Sequence, residues 1–146
     1  MSKVTAPQGR FEGDKFWFPA RIYYEDTDAG GVVFYANYLK FSERARTEFL
    51  RAIGVTQQEA LLTDNPCGFM VRKVEADYLK PAVLDDLLSI GVEIVKVGGA
   101  SAEILQEIRR GDDLLAVIKT VVVYVSFKSK RPVRIPENML TVRPEE

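Results

Sequence analysis

The feature that most constrains the fold is a change of hydrophobic period along the chain, from one long run at helical spacing to four runs at strand spacing. Over the eighteen residues from Ala36 to Ile53, Tyr38, Phe41, Ala45, Phe49 and Ile53 recur three and four apart, joined by Leu39, Leu50 and Ala52. These positions cover about half of a helical wheel, and Lys40, Glu43, Arg44, Thr47, Glu48 and Arg51 fill the rest. The run predicts a rod of about 27 Å, closed by Gly54 at the C-cap position. A short second helix is expected from Thr56 to Leu62, with Thr56 as its cap and Glu59 three residues on, stopped by Asn65-Pro66.

Before the long helix, Phe16 to Tyr24 reads as an apolar strand. After it come Gly68 to Leu79, Leu87 to Val97, Ser101 to Arg109 and Leu114 to Phe127, with turns at Gly98-Gly99 and Gly111-Asp112-Asp113. Strand, long helix, then four strands is an α+β order, with one five-stranded antiparallel sheet around one helix. The last strand is apolar on both faces, through Ile118, Val122 and Tyr124 on one and Val117, Val121 and Val123 on the other. One helix covers one face only, so homo-oligomerisation is expected; a moderately apolar outer surface is the alternative. Residues 1–15 read as a flexible N-terminal segment, 16–136 as a single domain and 137–146 as a C-terminal tail.

Composition narrows the chemistry. The 20 basic and 21 acidic side chains leave a net charge of -1, which creates no field to gather nucleic acid. The chain has no histidine, which excludes a Ser-His-Asp triad, a Cys-His pair and a histidine-ligated metal. The single cysteine, Cys67, cannot form an internal disulfide. The polar start, MSKVTAPQGRFEGD, has no signal-like apolar core, and no stretch approaches the roughly 20 apolar residues of a membrane span, so a cytoplasmic protein is expected.

The turn-rich patch Asp26-Thr27-Asp28-Ala29-Gly30-Gly31 leads into the N-terminus of the long helix. Helix N-termini carry unpaired N–H groups and partial positive charge that would stabilise an oxyanion. Asp28 and the N–H groups near Tyr35 can therefore act as a carboxylate and oxyanion-donor pair. The same residues also read as an Asp-rich turn in which Asp26 and Asp28 bond their own backbone and Gly30 and Gly31 supply positive φ. A calcium loop fits poorly, because position twelve counted from Asp26 is Asn37 rather than a bidentate glutamate. Asn37, in the first helical turn, either positions water or holds the turn. Glu43, about two turns along, either assists the chemistry of that site or pairs with Lys40, Arg44 or Arg46. Arg46 falls within the apolar arc, where a lone charge is costly, and is expected to pair with a carboxylate.

The run RIYYEDTDAGGVV from Arg21 to Val33, continuing through Tyr35-Ala36-Asn37-Tyr38-Leu39 and Phe41 to Glu48, resembles the signature of the 4-hydroxybenzoyl-CoA thioesterase branch of the hot-dog superfamily. Within that branch it is most similar to the acyl-CoA thioesterases encoded beside the Tol-Pal cell-envelope system. Phe69 to Lys73, Asp77 to Ala82, Leu84 to Asp86 and Arg131 to Pro136 also fall in family-like places. The resemblance implies a hot-dog fold assembled into dimers or tetramers, and hydrolysis of an acyl-CoA thioester without metal or bound cofactor. It assigns the catalytic carboxylate to Asp28 and the polarising backbone N–H to Tyr35; from their place in the loop and helix, Gly31 and Asn37 are expected to join Tyr35 in oxyanion or substrate binding, and Glu43 to be an auxiliary. The subgroup often carries histidine where this chain has Tyr35. A non-catalytic module that binds acyl groups or acyl carrier protein is the alternative.

Overall fold

The computed structural model describes residues 4–141. Its elements run β1 (Arg10–Glu12), β2 (Lys15–Arg21), a 3-10 turn (Tyr24–Asp26), α1 (Asn37–Ala52), α2 (Gln57–Leu61), β3 (Cys67–Tyr78), β4 (Leu87–Val97), β5 (Ser101–Arg110), β6 (Asp113–Ser126) and β7 (Arg131–Pro132). All strands join one sheet in the order β1-β2-β4-β5-β6-β3, with β7 on β6, and every pairing is antiparallel. The five principal strands are those expected, and β1 and β7 are short additions.

Helix α1 lies against one face of this sheet. Tyr38, Phe41, Ala45, Phe49 and Leu50 are buried there, facing Ile90 and Val92 of β4, Ala102, Ile104 and Ile108 of β5, and Ile118 and Val122 of β6. Each large side chain so placed contributes about 1.5–3 kcal/mol. The buried arc is rotated from the expected one: Leu39 is 39% exposed, whereas Ser42 is fully buried. The helix ends as its sequence predicts, with Gly54 at φ +94 and the Val55 N–H donating to the Leu50 carbonyl at 2.8 Å. α2 forms within the expected range, but the Thr56 side chain makes no cap hydrogen bond.

Both ends carry more structure than their composition suggests. Within the segment expected to be flexible, β1 pairs with β2, and the Phe11 ring packs edge-on to Phe16 at 5.1 Å and to Phe49 at 6.1 Å. At the other end Leu140 is buried and Met139 packs on the core. One aromatic or aliphatic side chain can hold a polar segment down, which a reading of average polarity misses. Residues 1–3 and 142–146 of the expected ends lie outside the described residues. Among the described residues no helix is long and apolar enough to cross a membrane.

The outer face is partly covered by the chain itself. The Trp17 ring lies over Gly91, where an added Cβ would approach it to 3.0 Å. β3 is different: it ends the sheet, and Met70, Val71 and Val74 on it are 56%, 49% and 40% exposed.

Candidate active site

The loop between β2 and α1 is pinned at several points. Thr27 and Val33 form an antiparallel bridge, the Asp28 N–H donates to the Val32 carbonyl at 2.9 Å, and the Gly31 N–H donates to the Asp28 carbonyl at 3.0 Å. Gly31 adopts φ +81, a conformation that costs any residue with a Cβ. The Asp28 carboxylate accepts the Gly30 N–H through Oδ1 at 2.8 Å. Its Oδ2 has no hydrogen-bond partner among the described residues, and the residue is exposed. The Asx turn and the reactive carboxylate are thus compatible: one oxygen orients the group and the other stays open.

The N-terminus of α1 leaves two donors. The N–H groups of Phe34, Asn37, Tyr38 and Leu39 donate to Asp26, Phe34, Tyr35 and Ala36 carbonyls at 3.0, 2.8, 3.4 and 3.1 Å. The N–H groups of Tyr35 and Ala36 have no acceptor among the described residues. Two unspent donors at the positive end of a helix are what an oxyanion requires. Of the other expected residues, Gly31 spends its N–H on the turn, and Asn37 donates its Nδ2 to the Asp26 carbonyl at 2.9 Å. Both therefore shape the loop. Asp26 likewise closes the 3-10 turn, accepting the Tyr23 N–H at 2.8 Å.

The loop hangs from the turn at residues 82–86. Val33 donates to the Ala82 carbonyl at 2.9 Å, Val32 bridges to Val83, and Ile22 exchanges hydrogen bonds with Asp86 and Asp85 at 2.9 and 3.0 Å. That turn is fixed from two sides. The buried Tyr38 hydroxyl of α1 accepts the Ala82 N–H at 3.1 Å. The Asp86 carboxylate accepts the Val83 N–H at 2.9 Å and the Arg110 guanidinium at 2.8 Å. Burial alone would raise the Asp86 carboxyl, but the Val83 N–H and the Arg110 charge outweigh it and hold it below the usual carboxylate range. Tyr38, Tyr78 and Asp86 fall within the family-like segments and Arg110 outside them, but no local pattern indicates what any of the four holds, because their roles come from contacts far apart in sequence.

An aromatic wall adjoins the free donors. Tyr35, 62% exposed, packs on Phe34 at 5.0 Å and on Tyr78 at 5.9 Å, and Tyr78 packs on Tyr38 at 5.4 Å. Burial pushes the Tyr38 phenol up, partly offset by its bond from Ala82. The Tyr78 phenol is also pushed up by burial, with Tyr35 and Tyr38 adding to the effect. Neither is a base near neutral pH.

Glu43 is exposed and accepts a hydrogen bond from the Thr47 hydroxyl one turn on; among the described residues it forms no ion pair. Arg46 does not meet the carboxylate expected of it. Its guanidinium donates to the Gln106 amide oxygen at 2.9 Å, and no carboxylate stands within 4.0 Å among the described residues. The fully buried Gln106 links it onward, donating to the Ser42 carbonyl at 3.0 Å. A neutral amide from β5 thus takes a place that charge balance alone would give to a carboxylate.

The sheet around one long helix, with a carboxylate loop at the helix N-terminus, is the hot-dog arrangement, and the chain belongs to the thioesterase superfamily, whose sequence profile matches residues 30–117. It is 44% identical over 124 residues to the acyl-CoA thioesterase YbgC of Haemophilus influenzae, covering 85% of this chain and 90% of that protein. It is 43% identical over 126 residues to the acyl-CoA thioester hydrolase YbgC of Escherichia coli O6:H1, covering 86% and 92%. Among solved structures, a probable thioesterase from Bartonella henselae superposes with a TM-score of 0.79 at 35% identity, covering 82% of this chain and 98% of that one.

Proposed function

We propose that this protein hydrolyses acyl-CoA thioesters to the free acid and CoA, with Asp28 as the reacting carboxylate and the Tyr35 N–H as oxyanion donor. The observation that carries this reading is the pairing, on one pinned loop, of a carboxylate oriented through one oxygen with unspent N–H groups at the end of a 16-residue helix. The thioester carbonyl oxygen accepts from the Tyr35 N–H, with the Ala36 N–H beside it. Asp28 Oδ2 either attacks the carbonyl carbon, expelling CoA thiolate and leaving a mixed anhydride that water hydrolyses, or takes a proton from the water that attacks. Both routes restore the Asp28 carboxylate and give the same products. Gly31 and Asn37 hold the loop in register, and Glu43 lies further along the same helix as an auxiliary group.

The working unit in this reading is a homo-oligomer, dimer or tetramer. Support comes from β3, a twelve-residue edge strand whose exposed Met70, Val71 and Val74 would otherwise present an apolar edge to water. A cytoplasmic setting accords with Cys67, which forms no disulfide. The test is thiol release from a panel of short, long and aromatic acyl-CoAs, with acyl groups on acyl carrier protein as the contrast arm. Turnover of at least one CoA thioester is expected. Release from none would replace the hydrolase with a non-catalytic acyl-binding module.

A further inference from the structure

The loop that carries Asp28 hangs at both ends from one turn. Ahead of it Ile22 exchanges hydrogen bonds with Asp86 and Asp85, and behind it Val32 and Val33 are held by Val83 and Ala82. A shift of residues 82–86 therefore moves Asp28 relative to the Tyr35 N–H at the end of α1. Arg110, the last residue of β5, grips this turn from outside. Its Nη1 donates to the Pro81 carbonyl at 3.3 Å and to the Asp86 carboxylate at 2.8 Å, at opposite ends of the turn. Arg21 adds a bond to the Asp85 carbonyl at 2.9 Å. It sits on β2, the strand that leads into the loop, and so gives the turn no independent anchor.

The grip is itself steadied. Arg110 Nη2 lies 3.7 Å from Asp113 Oδ2, and Asp113 Oδ1 takes the Lys80 ammonium at 3.2 Å. Charges thus alternate in sign through Lys80, Asp113, Arg110 and Asp86, from one end of the turn across the β5–β6 hairpin to the other end. The inner pair is the one withdrawn from water: side-chain exposure is 17% for Asp86 and 34% for Arg110, against 51% for Asp113 and 55% for Lys80. Such a pair is screened less than a surface pair, and removing one partner leaves the other charge poorly solvated. The adjacent Arg109 provides a contrast. It donates to Glu107 at 2.9 Å and to the Asp112 carbonyl at 3.2 Å, and among the described residues it makes no hydrogen bond or ion pair to the turn.

We propose that Arg110 is a positioning residue of the hydrolysis: by holding the Pro81 carbonyl and the Asp86 carboxylate together it fixes the Asp28 carboxylate in register with the Tyr35 N–H. The proposal rests on the hydrolase reading given above. Arg110 makes no contact with Asp28 or Tyr35 and acts only through the turn, so it is not a catalytic residue. Asp113 and Lys80 keep its guanidinium aimed at the turn, which makes the β5–β6 hairpin part of the support of the reaction centre. The Asp86 carboxylate also accepts the Val83 N–H at 2.9 Å, so the position of the guanidinium passes directly to the backbone that holds Val32 and Val33. Misplacing a reacting group by a fraction of an ångström is enough to slow turnover without weakening substrate binding to the same extent.

The test combines thiol-release kinetics on the full chain, well below its thermal midpoint, with amide hydrogen exchange at Val33, whose N–H bonds to the turn. Arg110→Met should lower kcat at least tenfold with KM within threefold, and should speed Val33 exchange at least tenfold. Arg110→Lys should recover part of both losses, because an ammonium keeps the charge and loses the fork that spans two acceptors. Arg109→Met should match wild type in both readouts. In an Asp86→Asn background Arg110→Met should cost less than a further threefold in kcat, since the two groups act as one unit. Where the methionine variant fails to fold, Arg110→Gln is held to the same criteria. Wild-type kcat and exchange in the folded variant, equal losses in Arg109→Met, or full additivity with Asp86→Asn would each overturn the proposal. Absence of turnover in every chain, wild type included, would overturn the hydrolase reading and with it the role in hydrolysis, while Val33 exchange would still decide whether Arg110 holds the loop.

Discussion

Replacing Tyr38 by phenylalanine removes one oxygen and keeps the ring, so it isolates what holds the candidate loop in place. The lost hydroxyl accepts the Ala82 N–H at 3.1 Å in surroundings where Tyr38 is 4% and Ala82 0% exposed, so no water replaces it without rearrangement. A buried donor left unsatisfied costs about 1–3 kcal/mol. For a chain of about 150 residues each kcal/mol moves the thermal midpoint by about 2–4 °C, so a fall of about 2–12 °C is expected. The catalytic consequence follows from Ala82 itself, whose carbonyl takes the Val33 N–H two residues before the free Tyr35 donor. A displacement approaching 1 Å at such a site can cost as much as 100-fold; for the smaller shift expected here, kcat should fall about tenfold, or about 1.4 kcal/mol. Thermal melts followed by thiol-release kinetics well below the midpoint read the two effects separately. A midpoint and a kcat both equal to wild type would refute the argument that the turn at 82–86 registers the loop. A lower midpoint with unchanged kcat would confine Tyr38 to stability.

Tyr35→Phe should keep kcat within about threefold in the same assay, because the proposed donor is a backbone N–H; losing such a donor would cost about 3–4 kcal/mol, or at least 100-fold. The pH–rate profile should lack an imidazole limb near 6.5, since the chain has no histidine; a clear limb there would require a strongly raised carboxylate. Asp86→Asn should flatten the acid side of the stability–pH curve measured by urea unfolding. The folded-state Asp86 carboxyl lies below its ordinary value, so its contribution is present above the unfolded-state pKa and is lost as pH falls through the folded one. The variant should be less stable than wild type near neutral pH and converge on it in acid.

The helix was legible because Tyr38, Phe41, Ala45 and Phe49 are spaced for one face, and the strands because their alternation is interrupted by Gly98-Gly99 and Gly111. Arg10–Glu12 was not, since a three-residue strand anchored by Phe11 leaves no period to detect. At the site, Asp28 stood out through a local run of turn residues that includes Gly31, and Asn37 through its place in the first turn of the helix that follows. Tyr38, Asp86 and Arg110 did not, because a hydroxyl that meets an amide 44 positions away, and an ion pair spanning 24, leave no local pattern. Arg46 was correctly singled out as a charge in an apolar arc, but its partner came from β5, and side-chain charge alone favoured a carboxylate over an amide.

The central claim is that the Asp28 carboxylate performs the reaction from a loop whose geometry does not depend on it being charged. The amide introduced by Asp28→Asn keeps an oxygen for the Gly30 N–H, so this variant should retain the wild-type thermal midpoint within a few degrees. Its kcat on the best acyl-CoA substrate should fall by at least about 1,000-fold, about 4 kcal/mol of transition-state stabilisation. A folded Asp28→Asn protein that releases CoA within about tenfold of the wild-type rate would contradict the account.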